Sequence, residues 1–569
     1  MLSAEDLLFG FGNGVSVERF HTFEDSLCYS LVKDGRTTIF YLDGLLKEPR
    51  LVYETTSFVD FLGFYDSLNI LIVLKNSYEL RSFVLWSASC GDLHEIFLSE
   101  DARPAFIDKG WLYYTVYKSD AIGIWRYGLT TREKVFLIPF ERGQVVQPIA
   151  ISPDERTLII AVIESHVIAH ALLVDIESLE KITVDSIVNL RSGCFRDDDF
   201  GYFAGWKIGS DRSGLYSFNR DGRLNLEYYS DREDVVAVGV FDGFTYILCS
   251  NGTERPLKRM AGKKPVLLME GEVEEIQSLN GLLLAKASTY NSGMSIVRVE
   301  NGLPWNAYLS DRLIQFSDIP EPMIMTSMSK DGTKVDSLLY RSDDPQARNR
   351  PTIVWCHDGP HVSNRKSFSL TINLIVSMGF DVIAPNFRGS SGYGIRFMEQ
   401  SWGMEAIDDV EGAILSYFAG AAPRVITMGV SYGGYMSLLL NAILPPGMVA
   451  GTISIFGPTH VNEMVECSKE PRRTILSRII DPQKTPSPHC YAEQMQGEIL
   501  MIYGDEDPRI PYDYAKEFSE NVSLVGNAKV DFVTLAKVGH GIGNVDRTLI
   551  FEKCESFLSS YTLIEQDLY

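Results

Sequence analysis

Gly429-Val430-Ser431-Tyr432-Gly433-Gly434 holds the chain's single match to G-x-S-x-G. The pattern alone is weak, but its surroundings give it meaning. Val425 to Met428 reads as an entering strand, and Met436 with Leu438 to Leu440 reads as a departing helix. Such a sharp turn needs small neighbours and leaves a serine hydroxyl exposed, so Ser431 is the candidate nucleophile. A serine hydroxyl is weak at neutral pH and needs a base within hydrogen-bond reach, itself held by a carboxylate. Chains built on this turn run in the order Ser, acid, His.

Only His460, His489 and His540 follow Ser431. His540 lies in Gly539-His540-Gly541-Ile542-Gly543, a loop poor in side chains that follows a strand and can present an imidazole. His460 and His489 have no strand before them and read as surface residues. The acid should follow the strand Ile499 to Tyr503, where Asp505, Glu506 and Asp507 stand together; local sequence does not choose among them. An acyl-transfer intermediate also needs donors for its oxyanion. The Tyr432 backbone N–H is one candidate. The other is Gly359, in His357-Asp358-Gly359-Pro360 after the strand Thr352 to Cys356. His357 and His361 in that loop read as structural or surface residues.

The elements that must position these residues fall into two styles. To about residue 310 the chain is short apolar strands separated by Gly, Asn and Asp turns, as at Ser152-Pro153-Asp154 before Thr157 to Ile163. Units near Leu27, Ile70, Leu112, Leu158, Phe203, Thr245 and Leu282 recur every 37 to 46 residues. That period predicts a seven-bladed β-propeller, whose four-stranded sheets bury their faces only by stacking on neighbours. After Pro304, Pro320 and Pro322, and a hairpin at Asp331-Gly332, short buried strands (Thr352 to Cys356, Val382 to Ala384, Val425 to Met428, Ile499 to Tyr503, Phe532 to Leu535) alternate with helical patterns such as Ile407, Val410, Ile414 and Phe418. This alternation predicts a mostly parallel, doubly wound sheet. The boundary is expected between about 308 and 322, with the propeller over 21–310 and the second domain over 311–569. Ser3 with Asp6 suggests a capping box and a short helix in an extension over 1–20.

The chain has 569 residues, 52 basic and 75 acidic, for a formal charge of −23. The excess is shared, −13 over 1–310 and −10 over 311–569, so it marks general solubility and disfavours nucleic acid and anionic membranes as partners. No apolar run approaches the ~20 residues of a membrane helix, and the first 18 residues contain no Lys or Arg, so no export signal is expected. Eight sparse cysteines without a CxxC pair are expected to be reduced, buried thiols of a cytoplasmic protein, with no metal framework and no cofactor.

Taken together, the loops resemble the prolyl oligopeptidase family of serine peptidases, and within it the acylaminoacyl peptidase branch. The resemblance rests on His-Asp-Gly-Pro at 357–360, Asn-Phe-Arg-Gly-Ser-Ser-Gly-Tyr-Gly at 386–394, Trp402-Gly403 with Asp408-Asp409, Gly-Val-Ser-Tyr-Gly-Gly at 429–434, Asp-Pro-Arg-Ile-Pro at 507–511 and Gly-His-Gly at 539–541. It implies an α/β-hydrolase domain at 311–569, with the extension packed on it. It also selects Asp507 as the acid and makes Arg509 a candidate for holding the substrate's acyl or P2 carbonyl; an ion pair with Glu506 or Asp513 is the plainer alternative. Arg388 and Asp408-Asp409 match positions that look structural. The implied activity is release of N-acylated amino acids from short blocked peptides through a Ser431 acyl-enzyme, with the propeller screening substrate size. A prolyl-oligopeptidase or dipeptidyl-peptidase activity, a carboxylesterase, and a catalytically dead propeller scaffold are the alternatives; homo-oligomerisation is compatible with all of them. One departure stands out: the family usually has His-Gly-Gly-Pro, and Asp358 here replaces the first Gly.

Overall fold

The computed structural model describes residues 16–303, 319–540 and 547–562, apart from 34–35, 44–48, 76–80, 97–101, 118–121, 166, 185, 470–471 and 526. The expected helix near residues 3–10 and most of the expected domain boundary lie outside the described residues.

Among the described residues the first half forms seven successive antiparallel meanders, over 16–55, 58–96, 103–139, 145–184, 187–228, 234–269 and 272–298. Four close as separate four-stranded sheets; the fourth and fifth are joined by the single parallel pairing of Ala169 with Asn189, and the seventh has three described strands. Each unit start read from the sequence falls on the second strand of its meander. These strands carry the strongest signal because both their faces are covered: Ile70, Leu71, Ile72 and Val73 are all fully buried. First strands such as Ser16–Phe23 and Glu272–Leu279 mix charged and apolar residues.

Neighbouring meanders share apolar seams. Ile39 and Tyr41 pack with Phe64 and Ile72, Ile159 and Leu173 with Phe203 and Phe218, and Ala204 and Leu215 with Val235 and Ile247. The last seam closes the ring: Val17, Phe20 and Tyr29 of the first meander join Leu279, Leu284 and Ile296 of the seventh. Two polar ties reinforce it, from Thr22 Oγ1 to the Ser278 carbonyl (2.8 Å) and from Lys286 Nζ to the Glu18 carbonyl (2.7 Å). Local chemistry sets the turns as expected at 152–157, where Ser152 Oγ accepts from the Thr157 N–H (2.9 Å) and donates to Asp154 (2.6 Å).

The second half is an eight-stranded sheet: β1 (Met323–Met328), β2 (Lys334–Tyr340), β3 (Thr352–Cys356), β4 (Val382–Pro385), β5 (Val425–Val430), β6 (Val449–Ile455), β7 (Gly497–Gly504) and β8 (Ala528–Leu535). Their order is β1-β2-β4-β3-β5-β6-β7-β8, antiparallel through the first three and parallel after. The sequence reading omits β6. Its apolar pattern is broken by Gly451, Thr452 and Ser454, whose hydroxyls are satisfied inside the core by Thr427 (2.8 Å) and by the Gly434 carbonyl (3.2 Å). Helices α1 (Leu370–Ser377), α2 (Glu405–Phe418), α3 (Tyr432–Ile443), α4 (Val461–Cys467), α5 (Arg472–Ile479), α6 (Tyr512–Val525) and α7 (Arg547–Ser559) cover the sheet. Ile407, Leu439 and Phe518 pack on one face, and Ile375, Ile550 and Leu558 on the other.

The segment 386–394 ties the halves together. Arg212 Nη1 donates to the Gly392 carbonyl, and the Gly394 N–H donates to Asp234 (3.1 Å), a fully buried carboxylate. Arg388 is buried against Asp409 and Ser329 Oγ, a structural role as expected. The thiols depart from expectation: Cys28, Cys249, Cys356 and Cys554 are buried, but Cys90, Cys467 and Cys490 are exposed, because they sit in turns and helix ends. Among the described residues no helix is long and apolar enough to cross a membrane.

Candidate active site

Ser431 occupies the bend between β5 and α3 with φ 55° and ψ −116°, a conformation costing a non-glycine residue on the order of 1–3 kcal/mol. Surrounding contacts enforce it. The Ser431 N–H donates to the Ile455 carbonyl (2.8 Å). A Cβ on Gly429 would stand 2.4 Å from the Gly433 backbone, and one on Gly433 would stand 2.1 Å from the Cys356 carbonyl oxygen. The glycines are therefore required by packing, and the second contact shows that the loop after β3 lies directly against the elbow.

Ser431 Oγ is 3.0 Å from His540 Nε2, and His540 Nδ1 is 2.7 Å from Asp507 Oδ2. The Asp507 side chain is fully buried, and its Oδ1 accepts the backbone N–H groups of Arg509 (2.7 Å) and Ile510 (2.9 Å). The carboxylate is thus held by its own loop and turned toward His540. Asp505 is turned elsewhere, accepting the Lys537 N–H (2.6 Å), and Glu506 is exposed. Of the three acids the sequence left open, Asp507 is the one that meets the imidazole.

Burial lowers the pKa of His540, chiefly by desolvation; the hydrogen bond and charge of Asp507 oppose this, and Arg509 and Arg472 reinforce it. The ring is therefore neutral near pH 7 and available as a base. Phe456, held at φ 52° at the end of β6, walls off one side of the imidazole at 5.8 Å between ring centroids.

Tyr432 is the first residue of α3, so its N–H has no acceptor within the helix and points out of the helix N-terminus. Its side chain takes no part: the ring is buried and its hydroxyl accepts the Trp402 N–H (3.0 Å). Gly359 adopts φ 61° beside the elbow. Its loop is propped by His357, whose buried ring stacks on Phe387 (4.4 Å) and contacts Ser390 Oγ (2.8 Å). Burial lowers the His357 pKa to about 4, so it is a neutral prop. The Asp358 side chain has surface open to solvent, yet lost hydration in the recess raises its pKa, and the nearby His540 opposes that rise.

Arg509 is half-buried, its charge felt at His540. The sequence reading missed Arg472, at the start of α5. Its guanidinium donates to the Arg509 carbonyl (3.1 Å) and to Ser468 Oγ (3.0 Å), clasping the loop that carries Asp507. Arg478, on the same helix, donates to the Glu164 carbonyl of the propeller (3.0 Å). No motif marks Arg472; in Lys-Glu-Pro-Arg-Arg it looks like surface charge. His460 and His489 are likewise not simple surface residues. Their rings stack at 4.1 Å and 8°, and His460 is buried, because the segments flanking α4 and α5 meet there.

Residues 366–562 match the model of the prolyl oligopeptidase family. The mouse acylamino-acid-releasing enzyme is 28% identical over 231 residues, covering 37% of this chain and 31% of that enzyme. A Caenorhabditis elegans dipeptidyl peptidase family member 6 is 27% identical over 241 residues, covering 39% of this chain and 32% of that protein. The matched part thus spans about a third of these relatives. Over the whole chain the fold is that of a Mycobacterium tuberculosis puromycin-hydrolyzing peptidase (TM-score 0.81, 16% identity, 98% of this chain and 96% of that one). It is also that of a Pyrococcus horikoshii acylaminoacyl peptidase (TM-score 0.73, 16% identity, 97% and 96%).

Proposed function

We propose that this chain, whose residues 366–562 match the prolyl oligopeptidase family, is a serine peptidase releasing N-acylated amino acids from short blocked peptides. The observation that carries this reading is the continuous relay from Ser431 through His540 to Asp507, at 3.0 and 2.7 Å, mounted on a strained elbow.

Ser431 Oγ attacks the scissile carbonyl carbon while His540 Nε2 takes its proton. Asp507 keeps the ring oriented and stabilises the imidazolium formed. The carbonyl oxygen, now negative, accepts from the N–H groups of Tyr432 and Gly359, donors fixed before the charge develops. As the intermediate collapses, the C–N bond breaks, His540 returns the proton to the departing amine, and the acyl group stays on Ser431. Water, deprotonated by His540, then attacks the ester; as the C–O bond to Ser431 breaks, His540 returns that proton to Ser431 Oγ and the acid is freed. Arg509 is assigned to the acyl or P2 carbonyl, and the propeller to limiting substrates to oligopeptides.

A second reading is supported by Asp358. A carboxylate beside the relay can receive an ammonium, so cleavage of peptides with a free amino terminus is the alternative. Acetylated, unblocked and internally extended peptides with one scissile residue, tested alongside an aryl ester, separate the two. Faster turnover of the acetylated short peptide supports acylaminoacyl release; faster turnover of the free-amine peptide assigns the chain to the second reading. Ser431→Ala should abolish fluorophosphonate labelling, and labelling that persists would remove Ser431 as nucleophile.

A further inference from the structure

On the sheet face away from α3, a cavity of about 220 Å³ remains between β3, β5 and β6 below and helices α1 and α7 above. Its floor is Trp355, Met428, Val430 and Ile455. Each helix contributes one stripe with the same spacing: residues 370, 371, 374, 375 and 378 along α1 and its C-cap, and 550, 551, 554, 555 and 558 on α7. Leu374, Ile375, Ile550, Cys554 and Leu558 form the buried walls, while Thr371 and Phe551 are half-buried at the mouth beside the exposed Glu555. None of Ser431, Asp507 and His540 lines it.

Native interiors hold few voids larger than a water molecule, so helices that stop short of the sheet over this volume are unusual. Water is a poor filler here. It needs two to four polar partners, and the lining is poor in them: the Cys554 thiol, which burial keeps protonated by raising its pKa to about 12, the Trp355 ring N–H on the floor and the Thr371 hydroxyl at the mouth. The walls carry no buried charge, so they give an ion nothing to pair with. An apolar cavity of ~150 Å³ stays dry and accepts benzene; this one has room for a somewhat larger molecule.

We propose that this cavity is a binding site, separate from the Ser431 relay, for an uncharged single-ring or fused-ring aromatic molecule of indole size. Its floor adjoins the elbow: Val430 precedes Ser431, and the Ile455 carbonyl accepts the Ser431 N–H. An occupant therefore touches the two residues that seat the nucleophile, and binding couples to turnover without excluding substrate.

The test uses indole as the probe on the full chain. Saturation-transfer NMR should detect indole bound to wild type and, equally, to enzyme whose Ser431 is blocked by a fluorophosphonate. Leu374→Trp, which fills the cavity from within, and Thr371→Trp, which closes its mouth and spares the buried core, should each weaken binding at least tenfold. Against an aryl ester, indole should change kcat at saturating substrate. Unaltered affinity in a folded Thr371→Trp variant, loss of binding on blocking Ser431, or purely competitive kinetics would overturn the proposal.

Discussion

The propeller and the α/β domain spend their sequence differently. The propeller repeats one solution, an apolar seam between adjacent meanders, and closes the ring with another seam of the same kind around Val17, Leu284 and Ile296. The α/β domain relies on positions used once: a serine at φ 55°, glycines with no room for a Cβ, and a carboxylate held by its own loop. Damage to a repeated seam should therefore lower stability and leave the chemistry intact, whereas damage to a single-use position should do the reverse.

Ser431→Ala should test the second half of that contrast most severely. kcat for peptide or aryl ester should fall by roughly 10⁴ or more, with a thermal midpoint within a few degrees of wild type. Residual activity above a few per cent would break the contrast at its centre.

Leu284→Ala deletes a fully buried side chain from the closing seam. It should cost about 2–5 kcal/mol in denaturant unfolding, while kcat/KM of the folded fraction stays within about twofold. A large loss of kcat/KM without loss of stability would mean that the propeller participates in the chemistry more directly than its packing indicates.

Arg472→Gln should sharpen the comparison, since Arg472 sits on the helix that reaches both the propeller and the Asp507 loop. A fall of about tenfold in kcat is expected, equivalent to about 1.4 kcal/mol. Arg472 lowers the pKa of His540, so its removal raises that pKa. The acid limb of the kcat/KM profile should then move to higher pH, and Arg472→Lys should restore it. A uniform loss of activity with an unmoved profile would reduce Arg472 to a packing residue.

Asp358→Gly should have the smallest effect. The attraction between Asp358 and His540 is mutual, so removing the carboxylate lowers the His540 pKa, and the acid limb should move down by a few tenths of a pH unit. An unchanged pH–rate profile and kcat would remove Asp358 from the chemistry.

Much of this was legible because it is local. The blade period showed in the doubly buried second strands, such as Leu158 to Ile160. The mixed first strands hid the true start of each unit by one strand. The elbow was legible from small residues between a strand and a helix. β6 was not, because Thr452 and Ser454 break its apolar pattern and are satisfied only by partners on other elements.

By itself, then, the sequence determined the repeat, the strand-helix alternation, the serine, and a histidine loop in the right order, since each follows from side-chain size and polarity over a few neighbouring residues. The tertiary structure decided what depends on distance through space. It brought together Ser431 and His540, 109 residues apart in the chain, and turned Asp507 toward the imidazole while Asp505 capped Lys537. It also placed Arg472 against the acid loop and left a cavity under α1 and α7. A hydrogen bond forms or fails within a fraction of an ångström, and no local pattern encodes that.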